Sequence, residues 1–181
     1  MLEGRNVNLR VMEKEDLPLF VEWWSSPEFI GENEPFPQQL SRANAEKGLE
    51  SERSGPFGFN AFFVEKKDGK KIGNVTFYNS YIGGNKLLEV GFVIIPSERG
   101  KGYCTEATQL MVDYLFLSMD ISRIQASTSI KNTGSQRVLE KAGFTKEGTI
   151  RKSARGARRD SYLYSILREE WKEPRTLTKT H

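Results

Sequence analysis

The segment Arg99-Gly100-Lys101-Gly102-Tyr103-Cys104 joins a run that reads as a strand directly to a run that reads as a helix. No other stretch narrows the choice of fold as much. Upstream, residues 89–95 (E-V-G-F-V-I-I) are rich in β-branched and aromatic side chains and are closed by Pro96. Downstream, residues 105–118 place Ala107, Leu110, Met111, Tyr114, Leu115 and Leu117 at roughly helical spacing. A glycine-rich turn that opens a helix gathers unpaired backbone N–H groups at the positive end of the helix dipole, where a phosphate or pyrophosphate is favoured. Gly100 and Gly102 let the main chain approach such an anion closely, and Arg99 and Lys101 add positive charge. Tight strand–helix packing produces the same local pattern, so the turn alone leaves both readings open. Neither the G-x-x-x-x-G-K-[ST] phosphate loop nor the dinucleotide G-x-G-x-x-G fingerprint is present.

A second ordered motif follows about thirty residues later, after one more predicted strand. Residues 132–144 read N-T-G-S-Q-R-V-L-E-K-A-G-F. Asn132 suits the N-cap of a short helix ending at Ala142, and Gly143 suits its C-cap. A plain capped helix would account for Asn132, Gly143 and Phe144, but not for this unit standing at a fixed interval behind the glycine turn. The first segment resembles the acyl-coenzyme-A pyrophosphate loop of the GCN5-related N-acetyltransferases, Gln/Arg-x-x-Gly-x-Gly/Ala. Arg99, Gly102 and Cys104 fill its three defined places, and Cys104 departs from the pattern. The second resembles the N-x-x-S-x-x-V-x-E-K-x-G-F segment of the RimJ/RimL-like branch. The resemblance spans the chain from the first strand to Trp171.

Composition bounds the alternatives. A chain of 181 residues suggests one domain, expected over residues 1–171 with a flexible tail at 172–181. Hydrophobic content of 37% and charged content of 28% are those of an ordinary globule. No apolar run approaches the roughly eighteen residues of a membrane span, and a signal-peptide core is missing. Cys104 is the one cysteine and cannot form an internal disulfide, which points to the cytoplasm. The net charge of +3 argues against nucleic acid as the main partner. His181 is the one histidine, so Ser-His or Cys-His nucleophiles and a His/Cys metal site are not expected. Catalysis then falls to carboxylates, hydroxyls, backbone dipoles or a cofactor. Acyl transfer from an activated thioester to a free amine needs little more.

The predicted order is a strand at 6–12, a helix at 16–25 closed by Pro27, and a second helix from Ser41 to about Arg53. Strands follow at 60–66 and 71–79 around an Asp68-Gly69 turn, then the strand ending at Ile95 after Gly83-Gly84-Asn85. Beyond the long helix come strands at 123–129, about 145–151 and about 160–167, with the short helix between the first two. A hairpin meander followed by strand–helix–strand–helix–strand argues for an α+β fold with a mixed sheet. The resemblance implies a mostly antiparallel twisted sheet flanked by helices, whose two central strands splay apart around the pantetheine arm.

It also implies roles. Phe92, Val93 and Ile94 would bond the pantetheine amides through their main chain. Arg99, Gly100, Lys101, Gly102, Tyr103 and Cys104 would hold the pyrophosphate of acetyl-CoA, with Asn132 and Ser135 also against the cofactor. Ser135 is the candidate general acid, because Leu139 stands where other branches carry a tyrosine. Glu89, at the start of the cofactor strand, is the candidate general base. No metal is implied, and the resemblance allows a homodimer. Local readings compete with each role: a buried strand, helix capping, a solvent-facing first-turn serine and an exposed edge carboxylate. A covalent role for Cys104 would need a thiolate that no histidine assists.

Arg151, Lys152, Arg155, Arg158 and Arg159 put five positive charges in nine residues, the pattern of a solvated hairpin loop or of an acidic-partner patch. Phe20, Trp23, Trp24 and Phe29 suit a core, while Phe36 and Phe57, each beside proline, suit an acceptor cleft. The leading expectation is acetyl transfer from acetyl-CoA, in a ternary complex, to the N-terminal amine of a protein. A small amine such as a polyamine, amino acid or antibiotic is the nearest alternative acceptor, and a non-catalytic acyl-CoA sensor is the alternative of another class.

Overall fold

The computed structural model describes residues 1–30, 41–51, 60–82, 85–154, 159–171 and 174. Its strands are β1 (Leu2–Glu3), β2 (Val7–Val11), β3 (Asn60–Lys66), β4 (Lys71–Ile82), β5 (Asn85–Ile94), β6 (Arg123–Ser129), β7 (Thr145–Ala154) and β8 (Arg159–Leu167). Its helices are α1 (Leu17–Trp24), α2 (Pro27–Ile30), α3 (Arg42–Ser51), α4 (Tyr103–Ser118) and α5 (Thr133–Ala142). The strands form one sheet in the order β1-β2-β3-β4-β5-β6-β8-β7. Every neighbouring pair is antiparallel except β5 and β6, which α4 joins as a parallel crossover. This is the expected α+β mixed sheet.

Two apolar layers form because β3 buries both of its faces. Phe62 and Val64 turn one way, into a core with Val75, Leu88, Val90, Ile124, Tyr164 and the inward face of α4 (Leu110, Met111, Leu115). Ala61 and Phe63 turn the other way, against Met12, Leu17, Phe20 and Ala45 under α1 and α3. Leu110, Met111 and Leu115 are fully buried, and each contributes about 1.5–3 kcal/mol by leaving water. The polar side chains that α4 buries are bonded. Glu106 accepts the N–H of Asn6 and its side-chain amide, both at 2.7 Å, tying the β1–β2 turn to the helix. The C-terminal end of α4 is capped by Arg168, which donates to the carbonyls of Phe116, Met119 and Ile121.

Several boundaries differ from the sequence reading. Pro27 does not only close α1; it opens the one-turn α2, since proline is tolerated at a first helical position. The short β1 adds an edge strand, α4 starts two residues early at Tyr103, and β4 runs on to Ile82. Ser41 caps α3 as expected, accepting the N–H of Asn44 at 3.1 Å. The Gly83-Gly84 turn, Phe36, Phe57, Arg155 and Arg158 lie outside the described residues, as does the tail beyond Trp171 except for Pro174.

Candidate active site

β5 and β6 pair at Leu88–Ile124 and Glu89–Gln125, and their ladder ends there. From Val90 onward the two strands diverge, leaving a wedge inside the sheet. The direction of the main chain along it follows from one bond. Ile95 donates its N–H to Ile72 O at 2.8 Å, toward the β4 side. By strand alternation Ile94 and Phe92 turn their N–H and C=O groups to the opposite edge, facing the wedge. Val93 turns its main chain to β4 instead. That corrects the expectation that all three residues present their backbone to a ligand arm: the register leaves Phe92 and Ile94, and the Ile94 C=O already accepts from Arg99 Nε.

Glu89 stands at the vertex of the wedge and is half-buried. Gln125 Nε2 donates to its Oε2 and Ser127 Oγ to its Oε1, both at 2.9 Å. Two donors fix the carboxylate while leaving it lone pairs for an amine N–H or a water. Gln125 Nε2 also reaches Ser80 Oγ at 3.3 Å, and its Oε1 is buried with no hydrogen-bond partner among the described residues. Tyr78 pairs in register with Glu89, so the sheet face around the carboxylate carries Tyr78, Gln125 and Ser127 together.

At the wide end of the wedge a 3-10 turn, Pro96–Glu98, leads into the glycine turn. Gly100 (φ +76°) and Gly102 (φ +86°) take the left-handed conformation, which costs a side-chain-bearing residue about 1–2 kcal/mol. Glu106 N bonds Gly102 O at 3.1 Å, so the amides of Tyr103, Cys104 and Thr105 have no carbonyl a turn behind them within α4. They are the anion-holding groups the turn offers. A Cβ placed at Gly100 or Gly102 would meet no atom of the described residues within 4 Å, so among them the main chain there is open to a close approach.

The two expected cations of the turn are engaged elsewhere. Lys101 Nζ pairs with Glu98 Oε2 at 2.9 Å, and Lys70 Nζ pairs with Glu98 Oε1 at 2.8 Å. The hydrogen bonds from Lys70 and then Lys101 hold the Glu98 carboxyl down at about 2. Arg99 directs Nε to Ile94 O (2.8 Å) and Nη2 to Phe29 O (2.9 Å) and Glu28 O (3.2 Å). Positive charge is therefore near the turn, but its bonds are made to the protein. Cys104 packs part-buried against the core, and burial pushes its thiol up to about 12 against the lowering effect of Thr108 and Arg99. Such a shift disfavours the thiolate that a nucleophile would need.

On the other arm of the wedge, beyond β6, Asn132 Oδ1 accepts the N–H of Ser135 at 3.0 Å and caps α5. Gly143 closes that helix at φ +99°. Ser135 is half-buried in the first turn, and Leu139 is buried in the core one turn later, with no hydroxyl to offer. The predicted residues thus lie along one feature: Glu89 at the vertex, Phe92 and Ile94 on one edge, residues 99–104 at its end, and Asn132 and Ser135 beyond the other strand. Gln125, Ser127 and Tyr78 are additions. The alternation R-I-Q-A-S-T-S in β6 signals that Gln125 and Ser127 share a face, but not what they face. Among the described residues no group of three or more His, Cys, Asp or Glu side chains could hold a metal ion, and no helix is long and apolar enough to cross a membrane.

A wedge between parallel strands, with a glycine turn opening a helix at one end and a fixed carboxylate at its vertex, is the arrangement expected of an acyl-CoA-dependent amine acyltransferase. Comparison with known proteins makes the class definite. The chain belongs to the acetyltransferase (GNAT) domain family, whose model matches residues 6–145, and it is an acetyl-CoA-dependent N-acetyltransferase of that type. It is 30% identical over 173 residues to the uncharacterized N-acetyltransferase p20 of Bacillus licheniformis, covering 94% of this chain and 97% of the relative. Among solved structures it is similar to Mycobacterium smegmatis RimJ in complex with CoA-disulfide (26% identity, TM-score 0.76, 93% of this chain and 85% of that one). The fold also matches spermidine N-acetyltransferase from Vibrio cholerae in complex with CoA and spermine (21% identity, TM-score 0.77, 91% of this chain and 97% of that one).

Proposed function

We propose that the acceptor is the N-terminal amine of a protein, with ribosomal proteins the favoured class, and that Glu89 and Ser135 carry the proton transfers. The observation that supports this reading is the wedge itself, with Glu89 held at its vertex by Gln125 and Ser127 between the glycine turn and the Asn132–Ser135 turn. Acetyl-CoA, when bound, supplies an acetyl group already activated as a thioester. The amides of Tyr103, Cys104 and Thr105 hold the pyrophosphate, and the Phe92 and Ile94 edge aligns the pantetheine arm by main-chain hydrogen bonds. Glu89 accepts a proton from the incoming ammonium, directly or through one water, because only the free amine is a nucleophile. Ser135 Oγ gives its proton to the leaving sulfur and regains one, through water, from the nitrogen that has attacked, so the hydroxyl ends neutral; a thiolate leaves readily, so little acid assistance is needed. Likeness to RimJ favours a protein N-terminus, whereas likeness to the spermidine enzyme rests on fold. The basic residues Arg151, Lys152 and Arg159 around the β7–β8 turn would repel a polyamine and attract an acidic protein surface.

The test is CoA release from acetyl-CoA with two acceptor sets, hexapeptides of varied N-terminus and a panel of small amines including spermidine. Turnover of peptides alone supports the reading. Turnover confined to small amines moves the function to metabolite modification, and tight CoA binding with silence in both sets would make the chain a sensor.

A further inference from the structure

The guanidinium of Arg99, in the glycine turn, reaches across to α2. It is placed by the turn that is expected to hold the pyrophosphate, yet three hydrogen bonds send it to main-chain carbonyls of two other elements. Nε takes Ile94 O at the end of β5, and Nη2 takes Phe29 O and Glu28 O in α2, some seventy residues earlier in the chain. Phe29 is buried, stacks on Trp23 with ring centroids 5.0 Å apart, and lies edge-on to Trp24 at 6.2 Å. Trp23 in turn contacts Phe63 of β3, on the same sheet face as Tyr78 and Glu89. The fork therefore joins the cofactor turn to the aromatic layer beside the acceptor face. Lysine cannot replace it, since one ammonium cannot span carbonyls on two elements in a fixed plane.

We infer that Arg99 is a positioning residue whose side chain couples the two substrate sites: it holds α2 in register with the glycine turn so that the acceptor face is formed where the cofactor is bound, and it is not the pyrophosphate's charge partner. The inference rests on the acyltransferase reading above. On it, the anion is held by the main-chain amides of the turn, so removing the guanidinium should spare cofactor affinity and weaken acceptor binding.

Wild type, Arg99→Lys and Arg99→Ala are compared by calorimetric titration with CoA and by steady-state kinetics with acetyl-CoA and a hexapeptide bearing a free N-terminal alanine, with spermidine run in parallel. Expected are CoA Kd values within about threefold of wild type in both variants, and an acceptor KM raised roughly tenfold in Arg99→Ala and not rescued by Arg99→Lys, with kcat changed less than KM. A readout free of any acceptor is the quenching of tryptophan fluorescence by acrylamide, in a Trp171→Phe background. CoA should protect Trp23 and Trp24 in the protein that keeps Arg99 and not in Arg99→Ala, although both bind it. A CoA Kd raised tenfold or more with acceptor KM unchanged would make the guanidinium a phosphate ligand and overturn the inference. So would unchanged constants throughout, or a uniform loss of activity and thermal stability. Failure of the wild type to bind CoA would instead remove the acyltransferase reading on which the inference stands.

Discussion

Glu89 is positioned by two neighbours on β6, which makes those neighbours as informative as the carboxylate. Glu89→Gln keeps the shape and removes the proposed base. Its kcat should fall roughly 10²–10⁴-fold with CoA affinity intact. Gln125→Leu should lower kcat/KM about tenfold by freeing the carboxylate, and it also removes the buried Oε1 that lacks a partner among the described residues. Equal activity in Glu89→Gln and wild type would exclude Glu89 as the base. Cys104 gives the opposite expectation. Its thiol, raised to about 12 by burial, should resist iodoacetamide at pH 7.5, and Cys104→Ala should keep near-wild-type turnover. Rapid alkylation with parallel loss of activity would contradict its packing role.

The glycine turn and α4 act as one element, and Gly102→Glu tests them together. The left-handed φ costs about 1–2 kcal/mol, and a Cβ meets nothing within 4 Å, so the fold should persist by circular dichroism. CoA binding should nevertheless be lost, because a carboxylate then sits where the pyrophosphate belongs; retained affinity would refute the assignment of the turn. This element was readable from the chain because its signals are local: two glycines, a flanking strand pattern and a helical period. The same holds for Asn132 and Gly143, whose capping roles are set within a few residues. What was not readable depends on distant pairing. The parallel register that puts Gln125 against Glu89 is fixed by a crossover through α4, and nothing in R-I-Q-A-S-T-S specifies it. Arg99 carries the charge of a phosphate ligand in the sequence, and its hydrogen bonds to the carbonyls of Glu28 and Phe29 cannot be read there. Pro27 is ambiguous for a local reason, since proline serves both the end of one helix and the start of the next.

Across the whole molecule, charged side chains secure the layer under α1. Asp16 is buried and accepts from Arg10, Lys71 and the Glu13 N–H. Burial disfavours its charge, but those hydrogen bonds outweigh it and hold the carboxyl at about 2, below its ordinary 3.8. A depressed folded-state value means that this stabilisation is complete above about pH 4 and is lost as pH falls through about 2. Asp16→Asn should therefore cost about 2 kcal/mol in urea unfolding at pH 7, and its deficit relative to wild type should shrink between pH 4 and pH 2. A deficit independent of pH would show that the ion pairs contribute little. The family match ends at residue 145, yet β8 lies between β6 and β7 and pairs with β6 along seven residues. The C-terminal strands are thus structural partners of the reactive half. Trp171 ties them further, donating to Asp113 Oδ1 of α4 at 2.8 Å. The divergence of β5 from β6 has one more consequence. A ligand that docks on main-chain groups is read by atoms that every residue type but proline possesses, so non-proline substitutions at Phe92 or Ile94 that respect the core leave its recognition untouched. The acceptor face, by contrast, is written in side chains. Such a division lets one half of the molecule stay fixed in chemistry while the other drifts to new amines.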